Sequence, residues 1–185
     1  MSEIVQIENT KEEMIGIYNE RDEYIGKVTR REMWQKKLIH RCTFIIVINH
    51  KKEILVQTRS LNKDFCPGYL EAVVGGRVKD GENVDESAER ELFEELGIKI
   101  KDNNNILNFF GKYFIDDINC KIWAYQYYIF LKDEEIKKIT FKDKEVSRIE
   151  WYCLNDIFEL KHNQKIKIVP SSFQILKNFE EIKII

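Results

Sequence analysis

The stretch GRVKDGENVDESAERELFEELGI, Gly76 to Ile98, decides how the rest of the chain is read. Gly75, Gly76 and Gly81 mark a loop that needs backbone freedom. A helix is expected from about Val84 to Leu96. Asn83 can cap its first turn, Glu86 three residues on completes a capping-box-like pair, and Gly97 stands where helices stop. At about 100° per residue, Val84, Ala88, Leu92 and Leu96 form one apolar stripe. Glu91 and Glu95 fall on or inside the edge of that stripe, with Glu94 within roughly 60° of Glu91. Three carboxylates therefore crowd one side, two of them turned toward the core. A like-charge i,i+4 pair costs about 0.2–0.5 kcal/mol even on an exposed helix. Glu94 and Glu95 also lie near the negative end of the helix dipole. A hard divalent cation with oxygen ligands relieves this repulsion, and Mg²⁺ suits best where phosphates are present. The alternative is a solvated charged face with Glu86 and Arg90 as an ordinary i,i+4 pair. It leaves the glycine loop and the apolar-edge positions of Glu91 and Glu95 unexplained.

The order is Gly76, five residues, Glu82, seven residues, Arg90-Glu91-Leu92, one residue, Glu94-Glu95, one residue, Gly97-Ile98. This spacing resembles the Nudix box at every defined position. The resemblance implies a hydrolase that cleaves a diphosphate linked to another moiety, with Mg²⁺, or alternatively Mn²⁺, as cofactor. It implies that Glu91, Glu94 and Glu95 bind the metal, with the Gly76 carbonyl as a further ligand. Glu82 would assist metal binding or water positioning, and Arg90 would orient the glutamates. Glu91 is the leading general base where it is not fully committed to the metal, with Glu94 and Glu145 as alternatives. Glu145 stands before the run VSRIEWY, where some relatives place a glutamate that binds metal or acts as base.

Upstream, Met14 to Tyr18 and Tyr24 to Val28 flank the polar turn Asn19 to Glu23 and predict a hairpin. Thr29-Arg30-Arg31-Glu32 is a capping box that starts a short helix to about Lys37. This opening, about residues 1–38, resembles the extension in the Nudix branch that includes isopentenyl diphosphate isomerase and its hydrolase relatives. The β-branched runs Cys42–Ile48 and Ile54–Thr58 read as central strands, with His50 a solvated residue in the turn between them. His40 reads as a capping or core-edge residue rather than a ligand, because no partner ligands are found for it. Arg59 and Lys63, in RSLNKDFCPG, and Arg77 are the substrate-binding candidates, since cations suit phosphates. Alignment with the isomerase puts Gly75 at its catalytic cysteine and Arg77 at a metal-binding histidine. A glycine cannot replace a thiol in proton transfer to carbon, so the isomerase reading is rejected.

Downstream, Leu107–Ile115 and Lys121–Leu131 are expected to pair as a hairpin. Tyr113, Trp123, Tyr125, Tyr127 and Tyr128 either pack in the core or stack on a ligand ring, with packing favoured. Asn155 is expected to cap a helix to Leu160, and Pro170 to start a final helix through Ile182. The expected fold is α/β: a Nudix-like α/β/α sandwich with a mixed sheet, one domain over residues 1–185, the hairpin extension preceding a core of 39–185.

The chain has 185 residues, 43% hydrophobic and 34% charged, enough for one packed domain. A net charge of -2 gives no sign of a nucleic-acid surface, and no apolar run is long enough to span a membrane. Cys42, Cys66, Cys120 and Cys153 are isolated, so reduced thiols in a cytoplasmic protein are expected, each as a small buried hydrophobe. The expected partner is a small-molecule diphosphate, with nucleoside di- or triphosphates included. Phe93, off the apolar stripe, marks either a second packing surface or a homodimer contact. A non-catalytic nucleotide sensor is the alternative function.

Overall fold

The β-branched run of the sheet centre alternates its side chains between two helical layers. In the computed structural model, which describes residues 12–62, 66–100, 106–117, 120–140 and 146–185, this run is β3, His40–Ile48. Ile45 and Val47 face one core with Val74, Ala88, Leu92 and Leu96. Ile46 and Ile48 face a second core with Ile157, Ile175, Leu176 and Phe179. The period of two residues along a strand explains both contacts. A strand buried on both faces has no polar side, which is why the run reads as continuously apolar.

Every other element is placed from β3. The hairpin β1 (Met14–Tyr18) and β2 (Tyr24–Thr29) is antiparallel and joins β3 at Ile17 opposite His40. Helix α1 (Arg30–Lys36) follows, and Thr29 caps it by accepting from the Glu32 amide. β4 (Ile54–Arg59) turns back from β3 and carries β5 (Leu70–Glu71) and β9 (Val146–Tyr152) as antiparallel partners. β6 (Val74–Arg77) runs antiparallel to β3, from Cys42 opposite Arg77 to Ile45 opposite Val74. β8 (Lys121–Phe130) runs parallel to β3 on its other side and forms a hairpin with β7 (Asn108–Asp116). The result is a mixed sheet. Helix α2 (Val84–Leu96) covers one face. Helices α4 (Leu154–His162) and α5 (Pro170–Glu181) cover the other, and the short α3 (Asp133–Ile136) follows β8. The α/β/α sandwich with a mixed sheet and an N-terminal hairpin is therefore the observed architecture.

Several local expectations change. Asn155 does not cap α4: the helix begins at Leu154 with Cys153 at the cap, two residues earlier than expected. Asn83 caps α2 by accepting from the Asp85 amide, so the cap bond does not run to Glu86. Of the cysteines only Cys42 is buried; Cys153 is exposed, Cys66 and Cys120 partly so. Cys153 is left outside because it precedes α4 at the rim. His50 is exposed, as expected, and its Nδ1 lies 2.6 Å from Asp133 Oδ1.

A clamp absent from the sequence reading fixes the hairpin to the sheet. Asp22, at φ 64° in the β1–β2 turn, is buried. It accepts from Arg41 Nε at 2.7 Å, Lys112 Nζ at 2.8 Å and Tyr125 Oη at 2.5 Å. Burial alone would raise this carboxyl, but the three donors hold it below the usual carboxylate range. Trp123 Nε1 adds a bond to the Asn19 carbonyl. Among the described residues no helix is long and apolar enough to cross a membrane.

Candidate active site

Helix α2 delivers its carboxylates to the sheet because its stripe of Ala88, Leu92 and Leu96 is fully buried against β3 and β6. Gly97, at φ 72°, ends it. With the stripe fixed, Glu91 and Glu95 point along the sheet edge of the helix and Glu94 remains exposed. The tight approach is made at Gly76: a β-carbon there would overlap the Glu91 carboxylate.

Arg90 gathers this region. Its Nε and Nη2 donate to the two Glu82 oxygens at 2.7 and 3.0 Å. Nη1 donates to Glu91 Oε1 at 2.6 Å and Glu94 Oε2 at 3.2 Å. Nη2 also reaches the Arg77 carbonyl at 3.1 Å and Ser87 Oγ at 3.2 Å. Burial alone would raise Glu82, but Arg90 and the Lys79 amide hold it below its usual range. Burial raises Glu91 despite the opposing pull of Arg90. Burial likewise lifts Glu95 to about 8, opposed by Gln57 Nε2 at 3.0 Å from Oε2 and the Gly75 amide at 3.2 Å from Oε1. Strongly perturbed carboxyls of this kind cluster at functional sites.

These groups open on one cavity of about 410 Å³, lined by Gly75, Gly76, Arg77, Arg90, Glu91, Glu94 and Glu95. Arg59 lines it too, and its Nη1 lies 2.5 Å from Glu71 Oε2. The structure thus brings together Gly76, Arg77, Glu82, Arg90, Glu91, Glu94 and Glu95, with Arg59 across the cavity. Lys63 and Glu145 lie outside the described residues. His40 is buried in the cavity wall, and its Nδ1 donates to the Leu38 carbonyl at 2.9 Å. Burial depresses it to about 4, so it is a neutral wall residue at pH 7.

The aromatics of β7 and β8 do not line the cavity. Tyr127 is buried and bonded to Asp85, Tyr125 belongs to the Asp22 clamp, and Tyr128 packs on Phe179. The cavity's rings are instead Trp34 of α1 and Phe44 of β3. Sequence reading missed Trp34 and Gln57. Gln57 left only a weak signal, as the polar residue that follows Ile54, Leu55 and Val56 in the strand.

Among the described residues no three Asp, Glu, His or Cys side chains already surround one point where an ion would sit. The Glu91 and Glu94 carboxylates are gathered on Arg90 instead. The donor chemistry still fits a hard divalent cation: three carboxylates beside a glycine carbonyl are the oxygen ligands that Mg²⁺ and Mn²⁺ take.

The sequence profile of the NUDIX domain matches residues 38–177. The chain is 32% identical over 154 residues to the Nudix hydrolase PA4841 of Pseudomonas aeruginosa, covering 80% of this chain and 82% of that protein. It is 41% identical over 95 residues to the Nudix hydrolase YPO2781/y1614 of Yersinia pestis, a match that spans about half of each chain, 51% and 50%. The fold is similar to that of DR0079 from Deinococcus radiodurans, with a TM-score of 0.75 at 20% identity, over 90% of this chain and 99% of that one. The box spacing, the carboxylates gathered on Arg90 and these matches agree: the chain belongs to the Nudix hydrolase family.

Proposed function

We propose that the chain is a divalent-metal-dependent pyrophosphohydrolase acting on a small diphosphate, with nucleoside di- and triphosphates within the range of substrates. The observation that carries this reading is the convergence of Glu91, Glu94, Glu95 and the Gly76 backbone on one cavity, under the control of Arg90. Glu91, Glu94, Glu95 and the Gly76 carbonyl would hold the metal, with Glu82 acting through Arg90. When bound, the ion supplies charge neutralisation of the diphosphate and acidification of water.

The chain's own residues do the rest. Gln57 and the Gly75 amide fix the Glu95 carboxyl in place. Arg90 keeps Glu91 and Glu94 on the cavity side of α2. Water forms a new bond to phosphorus as the anhydride P–O bond breaks, and its proton passes to a carboxylate. Glu91 is the leading acceptor where it is not fully committed to the metal, because its carboxylate lies against Gly76 in the cavity wall. Glu94 and Glu145 are the other candidates. Residues 39–185 act as the catalytic core, and the preceding extension as part of its wall.

The alternative is a nucleotide sensor that binds without cleaving; the intact set of Arg90, Glu91, Glu94 and Glu95 argues against it. Product formation separates the two. Phosphate and pyrophosphate release would be measured across nucleotides, nucleotide sugars, dinucleoside polyphosphates and isopentenyl diphosphate, with and without Mg²⁺. Metal-dependent cleavage of one class, cut by roughly two orders of magnitude or more in Glu94→Gln, is expected. Tight binding without any product would establish the sensor.

A further inference from the structure

Three of the cations around the cavity are matched by far less negative charge than the rest. Arg90 is matched by three carboxylates and Arg59 by Glu71. Arg30 and Lys79 share one acid, Glu13, at 3.7 and 4.0 Å. Arg77 has no carboxylate within bonding distance among the described residues. Its guanidinium instead lies 5.3 Å from the centre of the Trp34 ring. Strand alternation explains the placement: Gly76 faces Glu91 on α2, so Arg77 turns away, toward α1. Partial burial of a guanidinium without an acid is costly, and a ring face compensates only a fraction of it. All of these groups line the same cavity as Glu91, Glu94 and Glu95. The wall beside them is apolar, made by Cys42, Phe44 and Ile122, which strengthens any charge pairing there.

We propose that Arg77, held by Trp34 and backed by Arg30, forms an anion subsite for a phosphoryl group of the substrate, with the N-terminal helix as its outer wall. This deepens the hydrolase reading and rests on it for the word substrate. It assigns α1 a part in choosing substrates: compounds that place a phosphoryl group beyond the carboxylate cluster are held, and those that end there are not. Arg77 suits the task because a planar fork of donors matches phosphate oxygens, and a ring behind it fixes the fork's plane. Trp34 is 40% exposed, so a ligand can reach its edge.

The test uses inorganic pyrophosphate and inorganic phosphate as probes, titrated calorimetrically into the full chain in the presence of a chelator. Binding is then independent of metal and of turnover. The wild type is expected to bind pyrophosphate, Arg77→Met to bind it at least tenfold more weakly, and Arg77→Lys to fall between them. Trp34→Leu, on the partly exposed face of α1, provides the same readout should Arg77→Met fail to fold, and is expected to weaken binding severalfold. Wild type that ignores both anions, or Arg77→Met or Trp34→Leu that binds as wild type does, overturns the subsite. A chain that binds pyrophosphate through Arg77 but cleaves nothing in the substrate panel keeps the subsite and loses the hydrolase.

Discussion

Two adjacent glycines should fail in different ways when given a methyl group. At Gly76 the new β-carbon overlaps the Glu91 carboxylate and stands 2.5 Å from its Cδ. An ordinary carbon contact is about 3.5–4.0 Å, so the carboxylate must move by about 1 Å or more. Its ion pair with Arg90 Nη1, now 2.6 Å, cannot survive that movement unchanged. Yet Glu91 is the end of a flexible side chain, and the backbone around Gly76 is untouched. Gly76→Ala should therefore cost less than about 1 kcal/mol of stability. Its activity should fall roughly a hundredfold, the scale of a 1 Å misplacement. At Gly75 the new β-carbon meets backbone: it overlaps the Thr43 carbonyl and lies 2.9 Å from its carbon and 3.1 Å from Phe44 Cα. Those atoms belong to β3, the strand that every layer packs on. Gly75→Ala should cost about 3 kcal/mol, the upper end for overpacking, or about 6–12 °C in a chain this size. Thermal unfolding and metal-dependent turnover, measured on both variants, check the contrast. A Gly76→Ala protein that melts as early as Gly75→Ala while keeping full turnover would refute the reasoning.

Three further outcomes are expected. Asp22→Asn removes the charge at the buried Asp22 clamp and should cost about 3 kcal/mol by chemical denaturation. Because the folded Asp22 carboxyl is depressed, its contribution is complete above the unfolded value near 3.8 and is lost as pH falls through the folded one. The variant's pH curve should be flatter there. His40 behaves likewise from a different charge type: folded it sits at about 4 against 6.5, so the unfolded chain binds more protons between those values. Stability should decline as pH falls from 6.5 to 4, by up to about 3 kcal/mol. His40→Asn, which can still donate to the Leu38 carbonyl, should remove that slope in denaturation curves. Arg90→Lys keeps one charge but loses the fork that spans Glu82, Glu91 and Glu94. Turnover should drop about 10–100-fold, the scale for groups that orient ligands.

The sequence alone determined α2 and the order of its side chains. Val84 to Leu96, the Asn83 cap and the Gly97 stop depend on neighbours within one turn, where helix geometry is nearly fixed. The same holds for the β1–β2 and β7–β8 hairpins and for α1 behind Thr29. Box spacing depends on sequence distance as well, which is why the family was legible before any contact was known. Tertiary structure decided what those side chains meet. Gln57 reaches Glu95 across 38 positions, and Asp22 reaches Tyr125 across 103. Trp34 meets Arg77 only because β3 pairs with β6 while the hairpin folds over its edge. Such contacts follow from strand register and layer order, which no local pattern encodes. The aromatics of β8 show the same limit: their residue types allowed stacking on a ligand, and the parallel pairing with β3 turned them into the core and the clamp instead.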